Sequence, residues 1–255
     1  MKKVFPNKAK IALRERVRLI GCWCGLTNHL STELIGQVGF DWLLIDCEHA
    51  SNDVGTLIPQ LMALKDSHSF PFVRPTWNDK VEIKRLLDIG FYNFLVPFVA
   101  TREQAEQAVS YTRYPTQGVR GVSVAHRSNN WGFEENYQSE INDNITVVVQ
   151  IEDREGVENI KDILDVDGVD AVFIGPSDLA ASYGYLGNAK AEEVQRAIEH
   201  VFNAASAANK SVGILAPNND DARFYLECGA NFVAVGSDIG LLKNATVELK
   251  NKFME

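Results

Sequence analysis

The sequence predicts an α/β fold, a single-domain (β/α)8 TIM barrel over residues 1–255 with an N-terminal helix, and three observations carry that reading. Apolar runs of strand length alternate with amphipathic segments of helix length, and eight such runs in about 250 residues is the rhythm of one barrel. The runs are continuously apolar, as in a parallel sheet covered on both faces. Four segments also share one design: Gly39-Phe40-Asp41-Trp42-Leu43-Leu44-Ile45-Asp46, Gly90-Phe91-Tyr92-Asn93-Phe94-Leu95-Val96-Pro97, Gly168-Val169-Asp170-Ala171-Val172-Phe173-Ile174-Gly175 and Gly229-Ala230-Asn231-Phe232-Val233-Ala234-Val235-Gly236. Each reads as a helix-ending glycine, a short turn and a buried strand, because glycine adopts the left-handed backbone that stops a helix.

In chain order, Ala9, Ile11, Ala12, Leu13 and Val17 among Lys and Arg predict an amphipathic helix from Pro6 to Arg18, leading into a first strand, Leu19-Ile20-Gly21-Cys22-Trp23. Ser31-Thr32-Glu33 predicts the next helix start, with Gly39 as its stop. Pro71-Phe72-Val73-Arg74, Ile145 to Gln150 and Ser211 to Leu215 supply the strands between the repeated units. Helical patterns fall at 53–65, 79–88, 102–112, 156–164, 192–208 and 220–227. The stretch from Tyr114 to Asn144 is too long for an ordinary connection. Its Arg120, His126, Arg127 and Trp131, interleaved with glycines, predict an ordered lid or a subunit contact.

A hydrophobic content of 45% is ample for a core, and no apolar stretch long enough for a membrane span or secretory signal occurs, so a cytoplasmic protein is expected. Cys22, Cys24, Cys47 and Cys228 lack paired zinc-site spacing and are expected to be buried reduced thiols. A net charge of −9 without clustered Lys or Arg argues against a nucleic-acid surface. It leaves room for an anionic small substrate bound by one positioned Arg or a metal ion.

A (β/α)8 barrel places its chemistry where strands end, so the polar residues there are the candidates. Asp46, Glu48 and His49 follow the second strand, Arg74 ends the third, Gln150 and Glu152 end the fifth, and Ser177 and Asp178 follow the sixth. Glu152 and Asp178 are hard carboxylates on adjacent strands, suited to Mg²⁺ or Mn²⁺ with water and substrate filling the remaining positions. Taken alone, Glu152 reads as a first-turn acid favoured by a helix dipole. Arg74 could hold a carboxylate or enolate oxygen, or be an ordinary surface ion pair. His49 could be a general base oriented by Asp88 or another acid, or a surface histidine. No lysine stands at a predicted strand end, which disfavours Schiff-base aldol chemistry, and neither a Walker loop nor a Rossmann glycine triplet is present.

Asp46-Cys47-Glu48-His49-Ala50, Val73-Arg74, Arg85-Leu86-Leu87-Asp88-Ile89-Gly90, Gly118-Val119-Arg120-Gly121-Val122-Ser123, Gln150-Ile151-Glu152 and Gly175-Pro176-Ser177-Asp178-Leu179 together resemble the metal-dependent pyruvate aldolases of the HpcH/HpaI type. Val4-Phe5-Pro6-Asn7-Lys8 and Val233-Ala234-Val235-Gly236-Ser237-Asp238 extend the likeness to nearly the whole chain. The resemblance implies Mg²⁺, with Mn²⁺ or Co²⁺ as substitutes, held by Glu152 and Asp178. It implies that Gln150, Ser177, Asp178 and Arg74 bind the pyruvyl part, that Arg74 stabilises the enolate, and that His49, made more basic by Asp88, is the acid/base group. Asp46 and Glu48 are implied to support these groups from behind. The implied reaction is reversible retro-aldol cleavage of a keto-deoxy hexarate to pyruvate and tartronate semialdehyde, in a homo-oligomer, as a hexamer. The alternatives are the same chemistry on a rhamnonate-derived keto acid or 4-hydroxy-2-oxoheptanedioate, or a noncatalytic barrel that binds a keto acid. Cys47 stands where such sequences carry a small residue, so a narrowed pocket is expected there.

Overall fold

The computed structural model describes residues 5–254, so Val4 of the N-terminal motif lies outside the described residues. Eight parallel strands close into a barrel in sequence order: β1 Leu19–Cys24, β2 Trp42–Asp46, β3 Phe70–Arg74, β4 Asn93–Val96, β5 Thr146–Ile151, β6 Ala171–Ile174, β7 Ser211–Leu215 and β8 Phe232–Ser237. β1 pairs with both β2 and β8, which closes the ring. Gly39, Gly90, Gly168 and Gly229 all have positive φ (96°, 113°, 94° and 104°); Gly39 and Gly90 cap their helices and Gly229 follows the cap Cys228, as the recurrence implied, whereas Gly168 sits in the turn beyond a helix already capped by Asp165.

Around the barrel lie α1 Lys8–Arg14, α2 His29–Val38, α3 Val54–Ala63, α4 Lys80–Ile89, α5 Arg102–Thr112, the short α6 Tyr137–Glu140, α7 Arg154–Glu158, α8 Ile160–Leu164, α9 Pro176–Ser182, α10 Glu192–Ala207, α11 Asn219–Glu227 and α12 Asp238–Asn251. Several boundaries differ from expectation. α1 is shorter than 6–18 because Asn7 caps it and Arg16 turns left-handed at φ 55°. α2 starts before Ser31 because the Asn28 side chain accepts hydrogen bonds from Leu30 N and Ser31 N. The expected helix at 156–164 is two pieces, α7 and α8, broken at Asn159. α9 and α12 were not anticipated as helices.

Strand parity divides the core in two. Inside the barrel, Trp23, Trp42, Leu44, Phe72, Leu95, Val148, Phe173 and Phe232 pack with Ala9 and Leu13 of α1, which plugs the N-terminal end. Trp42 and Phe232 stack at 3.9 Å between ring centroids. The opposite strand faces, including Leu43, Ile45, Val73, Val147 and Val172, pack beneath the helix layer. Lys10 of α1 locks the plug with bonds of 2.7 Å to Ile145 O and to Asp170. Because an aromatic floor fills the interior, interior-facing strand-end residues open toward the C-terminal rim.

The long connection is ordered, but it does not cover its own chain's rim. Arg127 Nη1 donates to Ile89 O at 2.6 Å and Tyr92 Oη to Ser128 O at 2.7 Å, which places the segment against the end of α4 and the start of β4. Arg120 is buried there, bonded to Asp88 at 2.8 Å and stacked 4.3 Å from the Tyr114 ring. Cys22, Cys24 and Cys47 are buried free thiols, whereas Cys228 is exposed at the end of α11, because that helix turns its last residue outward.

Candidate active site

Period-two alternation carries the interior face of the strands up to the rim. Trp42, Leu44 and Asp46 share a face, as do Phe72 with Arg74 and Val148 with Gln150 and Glu152. Asp46, Arg74, Gln150 and Glu152 therefore stand in one ring above the aromatic floor, and all four are buried.

Arg74 is the centre of this ring. Its Nε and Nη2 donate to Asp46 Oδ1 and Oδ2 at 2.8 and 2.7 Å, a bidentate pair, and Nη1 lies 2.8 Å from Glu48 Oε2. Trp23 supports the pair from below: its Nε1 donates to Asp46 Oδ2 at 3.3 Å and its ring centroid is 5.3 Å from the guanidinium carbon. Burial pushes the Asp46 carboxyl up, but the Arg74 hydrogen bond and charge outweigh it and hold Asp46 below its ordinary value. The backbone beneath is fixed through a polar chain: Asn52 donates to Asp46 O at 2.6 Å, Gln60 to Asn52 at 2.7 Å, and Thr32 to Gln60 at 3.0 Å.

Glu152 is in the opposite electrostatic situation. Burial first, then the facing Glu48 charge and Asp178, push its carboxyl up to about 8 against the pull of the Phe98 amide and Arg74. Oε1 accepts from Phe98 N at 3.3 Å; Oε2 is buried with no partner, and so is Oε1 of Gln150. Gly175 makes room for both side chains: a Cβ there would lie 2.8 Å from Glu152 Oε2 and 2.9 Å from Gln150 Nε2. A buried carboxylate and amide oxygen left without donors, with two further carboxylates facing them, form a hard-oxygen set short of positive charge. Among the described residues, no cluster of three or more His, Cys, Asp or Glu donors is already assembled around a common point. A cation here would thus take two protein carboxylates and complete its shell from water and substrate.

Against this geometry stand the similarities to known proteins. Residues 19–245 match the family described as HpcH/HpaI aldolase/citrate lyase. This chain belongs to the HpcH/HpaI aldolase/citrate lyase family. It is, accordingly, a carbon–carbon lyase. Over 250 residues it is 59% identical to 5-keto-4-deoxy-D-glucarate aldolase of Escherichia coli O6:H1, covering 98% of each chain. A crystal structure of an HpcH/HpaI aldolase/citrate lyase family protein from Burkholderia cenocepacia superposes with a TM-score of 0.95 at 35% identity, over 98% of this chain and 100% of that one. An HpcH/HpaI aldolase from Desulfitobacterium hafniense gives 0.88 at 28% identity over 96% of each.

For a family member the expected site residues are mostly, but not all, at one rim. Asp46, Glu48, Arg74, Gln150 and Glu152 are together, and the charge of Asp178, in the first turn of α9, acts on both Glu48 and Glu152. Ser177 is exposed beside it. His49 stands at the edge with 65% of its side chain exposed, its Nε2 4.0 Å from Glu48 Oε2. Asp88 is not with them. It lies near the C-terminal end of α4, which runs back to the opposite end of the barrel, and there it pairs with Arg120 and sits 4.0 Å from His126 Nε2. Cys47 does not narrow the pocket either, because at odd spacing from Asp46 and Glu48 its side chain joins the outer core under the helices. Sequence reasoning overlooked Trp23, the Phe98 amide and the space left by Gly175. Parity from Leu19 could have found Trp23, whereas an amide and an absent Cβ leave no signal in side-chain chemistry.

Proposed function

We propose that the protein catalyses reversible cleavage of 5-keto-4-deoxy-D-glucarate, or its 2-keto-3-deoxy isomer, to pyruvate and tartronate semialdehyde. The observation that carries the chemistry is the unpartnered Glu152 Oε2 buried at the same rim as the fixed Arg74 guanidinium. The likeness to the E. coli aldolase supports the substrate.

The hard-oxygen set suits a divalent cation, Mg²⁺ with Mn²⁺ or Co²⁺ as substitutes, held by Glu152 and Asp178. When bound, it supplies Lewis acidity toward the keto and carboxylate oxygens of the pyruvyl part. Gln150 and Ser177 would orient that part. Arg74 commits Nε–H and one Nη2–H to Asp46 and forms an ion pair with Glu48 through Nη1, so N–H donors remain for the oxygen that becomes the enolate. Because Asp46 and Trp23 hold it rigidly, its charge is in place before oxyanion charge develops, which is the usual source of electrostatic catalysis. His49 takes the proton of the hydroxyl on the carbon β to the keto group. The α–β carbon bond breaks, its electron pair forms the pyruvate enolate, and the hydroxyl carbon leaves as the aldehyde. The same proton then reaches the enolate carbon to give the pyruvate methyl group.

The acid implied for His49 is not available within one chain, since Asp88 is held by Arg120. With that pairing retained, Asp88 meets His49 across a contact between two copies. Homo-oligomerisation, as a hexamer, is further supported by apolar surface: Ile239, Leu241, Leu242, Val247 and Leu249 of α12 are about half exposed or more, and Leu30, Leu34 and Val38 form an exposed stripe on α2.

Pyruvate release, followed by coupled reduction to lactate, is expected with the hexarate substrates and lost in EDTA. Turnover untouched by chelation rules out the metal-assisted route, and faster turnover on a rhamnonate-derived keto acid or 4-hydroxy-2-oxoheptanedioate reassigns the substrate.

A further inference from the structure

We propose that Phe98 and Trp77 are positioning residues that present Glu152 to its cation through the Phe98 main-chain amide. The inference rests on the metal reading above and extends it to residues that supply no charged group. Phe98 follows β4 with φ 50°, a left-handed backbone that a bulky aromatic residue avoids. This conformation turns the Phe98 amide onto Glu152 Oε1 at 3.3 Å, while the next amide, Val99 N, donates to Gln150 O at 3.1 Å. The turn after β4 is thus clipped across the end of β5, on the two residues whose outer oxygens, Glu152 Oε2 and Gln150 Oε1, are unpartnered. With Oε1 tethered to the backbone, Oε2 is the carboxylate oxygen left free of donors.

The strained conformation is held from outside. Trp77, in the loop after β3, stacks on the Phe98 ring at 5.6 Å between centroids and an interplanar angle of 27°. Asn78 beside it donates to Gln104 O at 2.9 Å, and Gln104 accepts from Ala100 N at 2.7 Å, so the two loops are also tied together through the first turn of α5. More than half of Trp77 is exposed. Its ring is therefore not retained for core packing, and it stacks on the residue whose backbone needs support.

The arrangement separates the amide from the ring, which makes it testable. Glycine adopts a left-handed φ without cost and keeps the N–H, whereas alanine keeps the N–H but neither favours this φ nor offers a ring to stack. Mn²⁺ dissociation constants should be measured by electron paramagnetic resonance for the wild type, F98A, F98G, W77A, the W77A/F98G double variant and E152A, with circular dichroism melts establishing that each is folded. The expected result is binding about tenfold weaker in F98A and W77A, the size of effect usual for groups that orient a metal ligand. F98G is expected to stay within about twofold of the wild type, and adding W77A to F98G should change nothing, since glycine needs no stack. F98G as weak as F98A, or F98A and W77A as tight as the wild type, overturns the inference. Loss of binding in E152A alongside intact F98A overturns the inference alone; equal binding by the wild type and E152A overturns the metal reading with it.

Discussion

Arg74 and Glu152 show how two buried ionisable groups at one rim are given opposite tasks. Arg74 is compensated twice over, by Asp46 and Glu48, so its position is set by geometry. Replacing it by Lys keeps one positive charge but removes the planar fork, and leaves Asp46 without its bidentate partner. R74K is expected to lower kcat/KM by about a hundredfold or more in the pyruvate-release assay, comparable to losing one oxyanion donor. Glu152 is under-compensated, and its carboxyl stays protonated up to about 8 against an ordinary 4.5. A raised carboxyl contributes stability that is complete below about 4.5, the unfolded value, and is lost as pH rises through about 8. In EDTA, the wild-type Tm should therefore fall between pH 5 and 8 relative to E152Q, whose neutral amide does not titrate. Parallel Tm profiles for the two proteins would show that Glu152 is not held protonated.

At the scale of elements, the barrel depends on where side chains are missing. Gly21 of β1 faces the interior, and a Cβ there would lie 2.1 Å from the Trp42 ring. Trp42 in turn touches Trp23, Phe72, Phe173 and Phe232, so it has no direction in which to yield. G21A should cost about 1–3 kcal/mol, the range for overpacking a core, read as a lower midpoint in urea unfolding. Activity should fall as well, because Trp23 stands between this aromatic floor and the Asp46–Arg74 pair. A midpoint equal to the wild type would mean that the floor rearranges freely. The loops obey the same logic: the turn after β4 is shaped by the Glu152 carboxylate it must reach, and its φ at Phe98 follows from that contact and not from local preference.

For the whole molecule, the unresolved economy is the apolar surface outside the barrel. A helix of ordinary barrel type buries a stripe against the strands, yet only Asp238 of α12 is buried, and its carboxylate accepts from Gly25 N and Leu26 N at 2.9 Å. Paired charge substitutions, L241E with L242E, are expected to shift sedimentation toward smaller species while leaving the far-ultraviolet spectrum intact. If assembly also brings Asp88 to His49, D88N should reduce kcat in the assembled enzyme. Unchanged sedimentation in the first variant would place the subunit contact elsewhere. An unchanged kcat in the second would confine Asp88 to its pairing with Arg120.

The barrel itself was legible in the sequence, because burial on both faces forces each strand to be a largely apolar run, and four of the strands are preceded by a glycine of positive φ, Gly39, Gly90, Gly168 and Gly229. So was most of the rim, since a residue just past such a run has to lie at the C-terminal face, which is how Asp46, Glu48, Arg74, Gln150 and Glu152 could be named. Tertiary structure alone decided the rest. That Asp88 belongs to Arg120, that Cys47 faces outward, that Glu152 is tethered by the Phe98 amide and that α12 stands clear all depend on contacts between segments distant in the chain. Periodicity reports which face of a strand or helix a residue occupies. It carries no information about the partner that face meets, because the partner is chosen by closure of the barrel in three dimensions.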